Sequence, residues 1–210
     1  PEIPIMDGSA KAFIDEILKS GLLAQDQKIK KIKILETFEI RDHQKFIKYE
    51  PTKKDFLEID YSLNYQDQCI KKQNFLLKNA QKNSLEVAHC RTFCHQEDLE
   101  KIFAMGLAKG GSLDNAIVIS GNKILNQGGL RCKNEFVRHK VLDCLGDLYL
   151  SGYFINGKIT CNQGGHELTA NLIKKIFENK KNYLMDDSSL STNSKITKKL
   201  SNTPRIHVVV

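Results

Sequence analysis

Within residues 135–147, EFVRHKVLDCLGD, a histidine and an aspartate stand four positions apart, His139 and Asp143. On a helix that spacing stacks imidazole above carboxylate on one face, where both can point at one small cation. Gly146 follows on the same face and adds no side chain to crowd them. Lys140 and Asp147 fall on the neighbouring stripe, two turns apart. Most histidine–aspartate pairs at this spacing are solvated or bonded to one another, so the pair by itself does not specify a metal.

A helix must present that stripe, and the apolar residues supply one. Phe136, Val137, Val141, Leu142, Leu145 and Leu148 recur at helical spacing, and Gly152 can end the run. Upstream, a turn over 1–8 leads to a helix capped by Asp7 or Ser9, with Phe13, Ile14, Ile17 and Leu18 on its apolar face and Gly21 at its end. After a polar linker at 24–30, period-two alternation predicts one strand over 31–42. Strands at 45–50, 56–63 and 69–77 then complete an antiparallel meander. Short helices are expected at 84–89 and 97–105, and strands at 116–119 and at 153–160, the latter bent at Asn156-Gly157. Gly164-Gly165 opens a helix over 166–179. Strands first, then helices with a few returning strands, predict an α+β fold: a two-layer sandwich of a mainly antiparallel sheet with packed helices. Residues 185–210, rich in Ser, Thr, Asn and Lys until the short apolar end RIHVVV, are expected to form a mobile tail.

The bulk numbers bound the class. The 210 residues can hold one fair-sized domain and part of another. With 40% hydrophobic and 27% charged residues and no Trp, the composition is that of a folded soluble chain, not a disordered one. No apolar stretch is long enough to cross a bilayer, and no secretory signal opens the chain. The opening PEIPIMDGSA begins at Pro1 and reads as the interior of something longer, so a fragment or processed piece is expected. Cysteines at 69, 90, 94, 132, 144 and 161 include no CxxC and no paired metal-finger spacing. Cys90 and Cys94 could meet on a helix, small buried thiols are the blander reading, and a reducing compartment suits both. A net charge of +7 permits an anionic partner, but the lysine pairs are scattered and form no single stripe.

Four stretches then stand in one order: RTF at 91–93, GLAKGGSLDNAIV at 106–118, LNQGGLRCKNEFVRHKVLDCLGDLYLSG at 125–152 and GGHELT at 164–169. This order resembles the second domain of the UDP-3-O-acyl-N-acetylglucosamine deacetylase family, the zinc amidases that commit lipid A synthesis. The resemblance covers residues 1–180, with 1–24 similar to the end of that family's first domain and 25–184 to its second. It implies Zn2+ as cofactor, with His139 and Asp143 as two of three protein ligands. By the same resemblance His166 is the catalytic histidine, Thr92 a hydroxyl that helps hold the oxyanion, and Lys140 and Asp147 residues that position substrate and orient His166. Residues 94–119 match an inserted βαβ unit that forms a passage for the acyl chain. The implied substrate is a UDP-linked acylated glucosamine, in the cytoplasm of a Gram-negative-type bacterium or an organelle of such origin. A monomer is expected when complete, with at most peripheral membrane contact and no nucleic acid.

Metal-activated water with a nearby unligated histidine suits amide hydrolysis, because the amine must leave protonated. Blander readings exist for each residue: His166 as a helix start, Asp147 as a solvated charge, Thr92 as a helix cap. His43, His89, His95 and His207 match no functional motif and read as surface or packing residues. Leu107, Leu113, Ile117 and Val118 read as core, and only the resemblance makes them a tunnel.

The chain also departs from the family. Cys94-His95 replaces Gly-Phe, Cys132 an aromatic residue, Gly164 a serine, Gln163 a basic residue and Asn64-Tyr65 a His-Pro pair. The third ligand and a glutamate base belong to a Glu-His pair of the first domain, which has no match here and is expected upstream. The alternative is a catalytically inactive fragment or decayed deacetylase lacking that half of the site. A basic nucleic-acid module ranks last, since no recognition-helix, finger or aromatic strand signature is present.

Overall fold

Period-two alternation puts Ile47 and Tyr49, then Ile59, Tyr61 and Leu63, then Ile159 and Cys161 on one side of a sheet, each no more than 2% exposed. The computed structural model describes residues 3–25 and 29–186. Among these, α1 (Lys11–Ser20) precedes β1 (Lys31–Ile34), β2 (Phe38–Asp42), β3 (Lys45–Glu50), β4 (Leu57–Asn64) and β5 (Lys72–Leu77). Then come α2 (Ala80–Asn83), β6 (Phe93–His95), α3 (Leu99–Ala104), β7 (Ile117–Ser120) and β8 (Lys123–Ile124). Last are α4 (Glu135–Tyr149), β9 (Phe154–Ile155), β10 (Gly157–Asn162), α5 (His166–Phe177) and β11 (Tyr183–Asp186).

The main sheet has the order β2-β3-β10-β4-β5. α4 packs over β4 and β5, α5 over β2 and β3, and the two helices touch each other. Phe136, Val137, Val141, Cys144, Leu145 and Leu148 form the buried face of α4, and Leu168, Thr169, Leu172 and Ile176 that of α5. Burying one such Leu or Phe fully stabilises the fold by about 1.5–3 kcal/mol. The result is the expected α+β arrangement, helices on a mainly antiparallel sheet. In a separate three-stranded sheet, β6 and β7 run parallel across α3, and β8 returns antiparallel. No described helix is long and apolar enough to cross a membrane.

Five local expectations need correction. The run 31–42 is two strands in two sheets: β1 pairs with β9 and β11, whereas β2 pairs with β3. Both halves alternate with the same period, so periodicity cannot show that exposed Leu35, Glu36 and Thr37 turn the chain between them. The meander is interrupted because β10 inserts between β3 and β4, antiparallel to the first and parallel to the second. The 69–77 strand begins only at Lys72, since the Asp67 carboxylate accepts the Cys69 and Ile70 amides and holds them in a turn. Residues 185 and 186, assigned to the tail, lie in β11; residues 187–210 are outside the described residues. Cys94 sits in β6, and the Cys90 thiol faces Cys132 instead, at 3.9 Å.

Candidate active site

One stripe of α4 gathers His139, Lys140, Asp143 and Asp147. His139 Nε2 lies 3.2 Å from Asp143 Oδ1, and Lys140 Nζ donates to Asp143 Oδ2 at 2.8 Å. His139 Nδ1 lies 3.2 Å from the Cys90 carbonyl. A carbonyl only accepts, so Nδ1 bears the proton and the neutral ring turns the lone pair of Nε2 toward Asp143. Burial holds His139 below the usual imidazole range, against the opposing pull of Asp143. Two acceptors thus face each other in a half-buried pocket, which a shared cation would reconcile. An imidazole fixed through its far nitrogen by a carbonyl, beside a carboxylate, is a donor set that suits Zn2+.

One turn further, Asp147 faces His166 at the start of α5, with His166 Nδ1 at 2.9 Å from Oδ2 and 3.0 Å from Oδ1. The carboxylate accepts, so Nδ1–H donates and Nε2 points away, on a ring that is 69% exposed. The chain reaches His166 from β10 through a tight loop. Gln163 holds φ 48° there, a conformation costly for a residue with a Cβ, while its Nε2 donates to the Asn64 carbonyl at 3.0 Å. The buried Tyr61 hydroxyl donates to the Gly164 carbonyl at 2.7 Å. A Cβ on Gly164 would run into the Cys161 sulfur.

Thr92, exposed, is followed by β6 and not by a helix, so the cap reading fails. It lines a polar cavity of about 360 Å³ with His139, Lys140, Lys45, Tyr65 and Gly164. Thr92 and Phe93 also line a second, largely apolar cavity of about 430 Å³ beside α3, among Leu99, Ile102, Leu113 and Val118. Of the four residues read as core, Leu113 and Val118 line that cavity, Ile117 is buried and Leu107 is exposed. The structure therefore brings Thr92, His139 and Lys140 to one cavity, with Asp143 bonded to Lys140 and facing His139. His166 stands beside it on Asp147.

A buried ion pair escaped the sequence reading. Glu135, at the first turn of α4, accepts from Arg91 Nε at 3.0 Å and from the Arg91 amide at 3.0 Å. It also accepts from Arg91 Nη2 at 3.2 Å and the Arg131 amide at 2.6 Å. Arg91 Nη2 donates as well to the Gly129 carbonyl at 2.8 Å. Burial raises the Glu135 carboxyl, but these hydrogen bonds outweigh it and leave the group below the usual glutamate range. The clamp sets Thr92, one residue after Arg91, against the helix that bears His139. A glutamate opening a helix is an ordinary first-turn residue, and only its sequence-distant arginine makes it special.

Residues 1–178 match the family model of UDP-3-O-acyl N-acetylglycosamine deacetylase. A UDP-3-O-acyl-N-acetylglucosamine deacetylase of Campylobacter fetus is 39% identical over 185 residues, 88% of this chain and 62% of the relative. One of Actinobacillus pleuropneumoniae is 41% identical over 182 residues, 85% and 59% of the two chains. One of Nitratiruptor is 38% identical over 192 residues, 91% and 64%. The chain spans about three fifths of the length of these curated relatives. With a match running from its first residue through α5, the chain belongs to the UDP-3-O-acyl N-acetylglycosamine deacetylase family.

Proposed function

We propose that the complete protein hydrolyses the N-acetyl group of a UDP-linked, 3-O-acylated glucosamine, the committed step of lipid A biosynthesis, as a Zn2+-dependent amidohydrolase. The observation that carries this reading is the α4 stripe, where a donor pair and a carboxylate-held histidine adjoin a polar cavity that shares Thr92 and Phe93 as lining with an apolar one.

His139 and Asp143 would hold the ion, and a third protein ligand and a proton acceptor are expected outside these 210 residues. Bound there, Zn2+ supplies a Lewis acid that polarises the amide and lowers the pKa of water toward ~7. Lys140, already on Asp143, fixes that carboxylate and adds a positive charge to the cavity. Thr92 donates its hydroxyl to the developing oxyanion. Asp147 holds Nδ1 of His166 and leaves Nε2 for the substrate, and a proton at Nε2 goes to the departing amine. The apolar cavity takes the acyl chain. Residues 1–24 belong to the end of a preceding domain and 25–184 to the second. The reaction runs in the bacterial cytoplasm on a monomer with no nucleic-acid partner and at most peripheral membrane contact.

The test is Zn2+-dependent acetate release by the full-length protein and its His166→Ala variant. The variant is expected to lose roughly 10²–10⁴-fold in kcat, the range for a positioned general acid. Equal rates would end the mechanism.

A further inference from the structure

We propose a second metal site, separate from the α4 stripe and beyond the deacetylase reading: His89, Cys90 and Cys132 form a three-donor pocket for one thiophilic divalent cation of the Zn2+ type. A ring nitrogen of His89 and the two sulfurs all lie within 4.8 Å of one another. The sulfurs are 3.9 Å apart. Two thiolates on tetrahedral zinc, at about 2.3 Å from the ion, are separated by roughly 3.8 Å. The observed spacing, a thiol–thiol contact, therefore admits a shared ion with little movement and is well beyond the ~2.05 Å of a disulfide.

Two loops meet here, and both are fixed. Arg131 Nη1 donates to the His89 carbonyl at 3.2 Å, and Arg131 Nη2 donates to the Asp7 carbonyl at 2.7 Å. On either side, the Arg91 and Arg131 amides are held by Glu135. Cys90 and Cys132 are thus positioned without any contribution from the ion, which lowers the ordering cost of binding. Cys90 is fully buried, whereas His89 and Cys132 are half-exposed. His89 also borders a cavity of about 330 Å³ beside α1, so a water can enter and take the fourth position. Binding replaces the two thiol protons, which leave to solvent, and needs no oxidant: the cation and two thiolates are together neutral. Residue 90 also offers its carbonyl to His139, so the proposed site lies one backbone unit from the catalytic stripe.

Titration of the reduced, full-length protein with Co2+ tests the assignment. Two equivalents, one for the His139/Asp143 site, are expected to give thiolate-to-cobalt charge-transfer absorption, which the His139/Asp143 pair, lacking sulfur, cannot produce. The band should persist in His139→Ala, vanish in Cys132→Ser, and be displaced by Zn2+. His89→Ala, at a half-exposed position that leaves both sulfurs in place, should weaken binding at least about tenfold. Absence of the band in the unmodified protein overturns the proposal, as does its survival in Cys132→Ser. Oxidation of the pair to a disulfide by glutathione disulfide, with no Co2+ bound beforehand, would likewise overturn it in favour of a redox dithiol.

Discussion

Glu135 and Asp147 are carboxylates at opposite ends of α4, and their surroundings differ completely. Glu135 is 0% exposed and accepts from two arginine nitrogens and two backbone amides. Asp147 faces a single histidine whose ring is mostly in solvent. The first has every lone-pair direction occupied and is left with nothing to exchange. The second keeps a titratable, accessible partner. One helix therefore differs along its length: its beginning is anchored into the protein, and its stripe further on keeps an exposed partner.

That contrast can be broken in three places. Glu135→Ala leaves Arg91 buried without its counter-ion and should destabilise the fold by about 3–5 kcal/mol, read as a lower urea midpoint at an unchanged slope. A loss under about 1 kcal/mol would mean that the clamp is not structural. Its pH dependence has a definite sign. Because the folded carboxyl lies below its ordinary value of 4.5, the stabilisation is full above that pH and disappears as pH falls through the lower folded value. Unfolding midpoints measured from neutral pH downward check this, with Glu135→Gln flattening the acid limb. Asp147→Asn should leave stability within about 0.5 kcal/mol but cost about 1.5–3 kcal/mol in the reaction, roughly 10- to 150-fold in kcat, through loss of a charged hydrogen bond. Should that variant instead unfold the protein with full activity per folded molecule, the two ends of α4 would not be distinct. Smallest is Tyr61→Phe, which removes the hydroxyl on the Gly164 carbonyl and should cost about 1 kcal/mol in denaturant unfolding.

Much of the stripe was legible because helical period and the apolar face of 136–148 leave residues 139, 140, 143 and 147 nowhere else to point. The His166–Asp147 bond was not readable from spacing, since it joins two helices, and only the family resemblance linked those residues. Arg91 and Glu135, 44 residues apart, carry no local signal at all. The sheet order was misread at β10 for a related reason: adjacency along the chain favours a meander, while the centre of the sheet belongs to the returning strand that buries Ile159 and Cys161. β11 was missed because Leu184 and Met185 are exposed, so no inward-outward pattern marks it.

The closeness of position 164 to the Cys161 sulfur reaches beyond this one molecule. Two sites on either side of a strand end share a volume that holds only one side chain, so neither can drift independently. In relatives that carry serine at the position of Gly164, the position of Cys161 should hold alanine or glycine, and the two should change together. Introducing serine alone here should shift the loop bearing His166, and pairing it with Cys161→Ala should restore the loop.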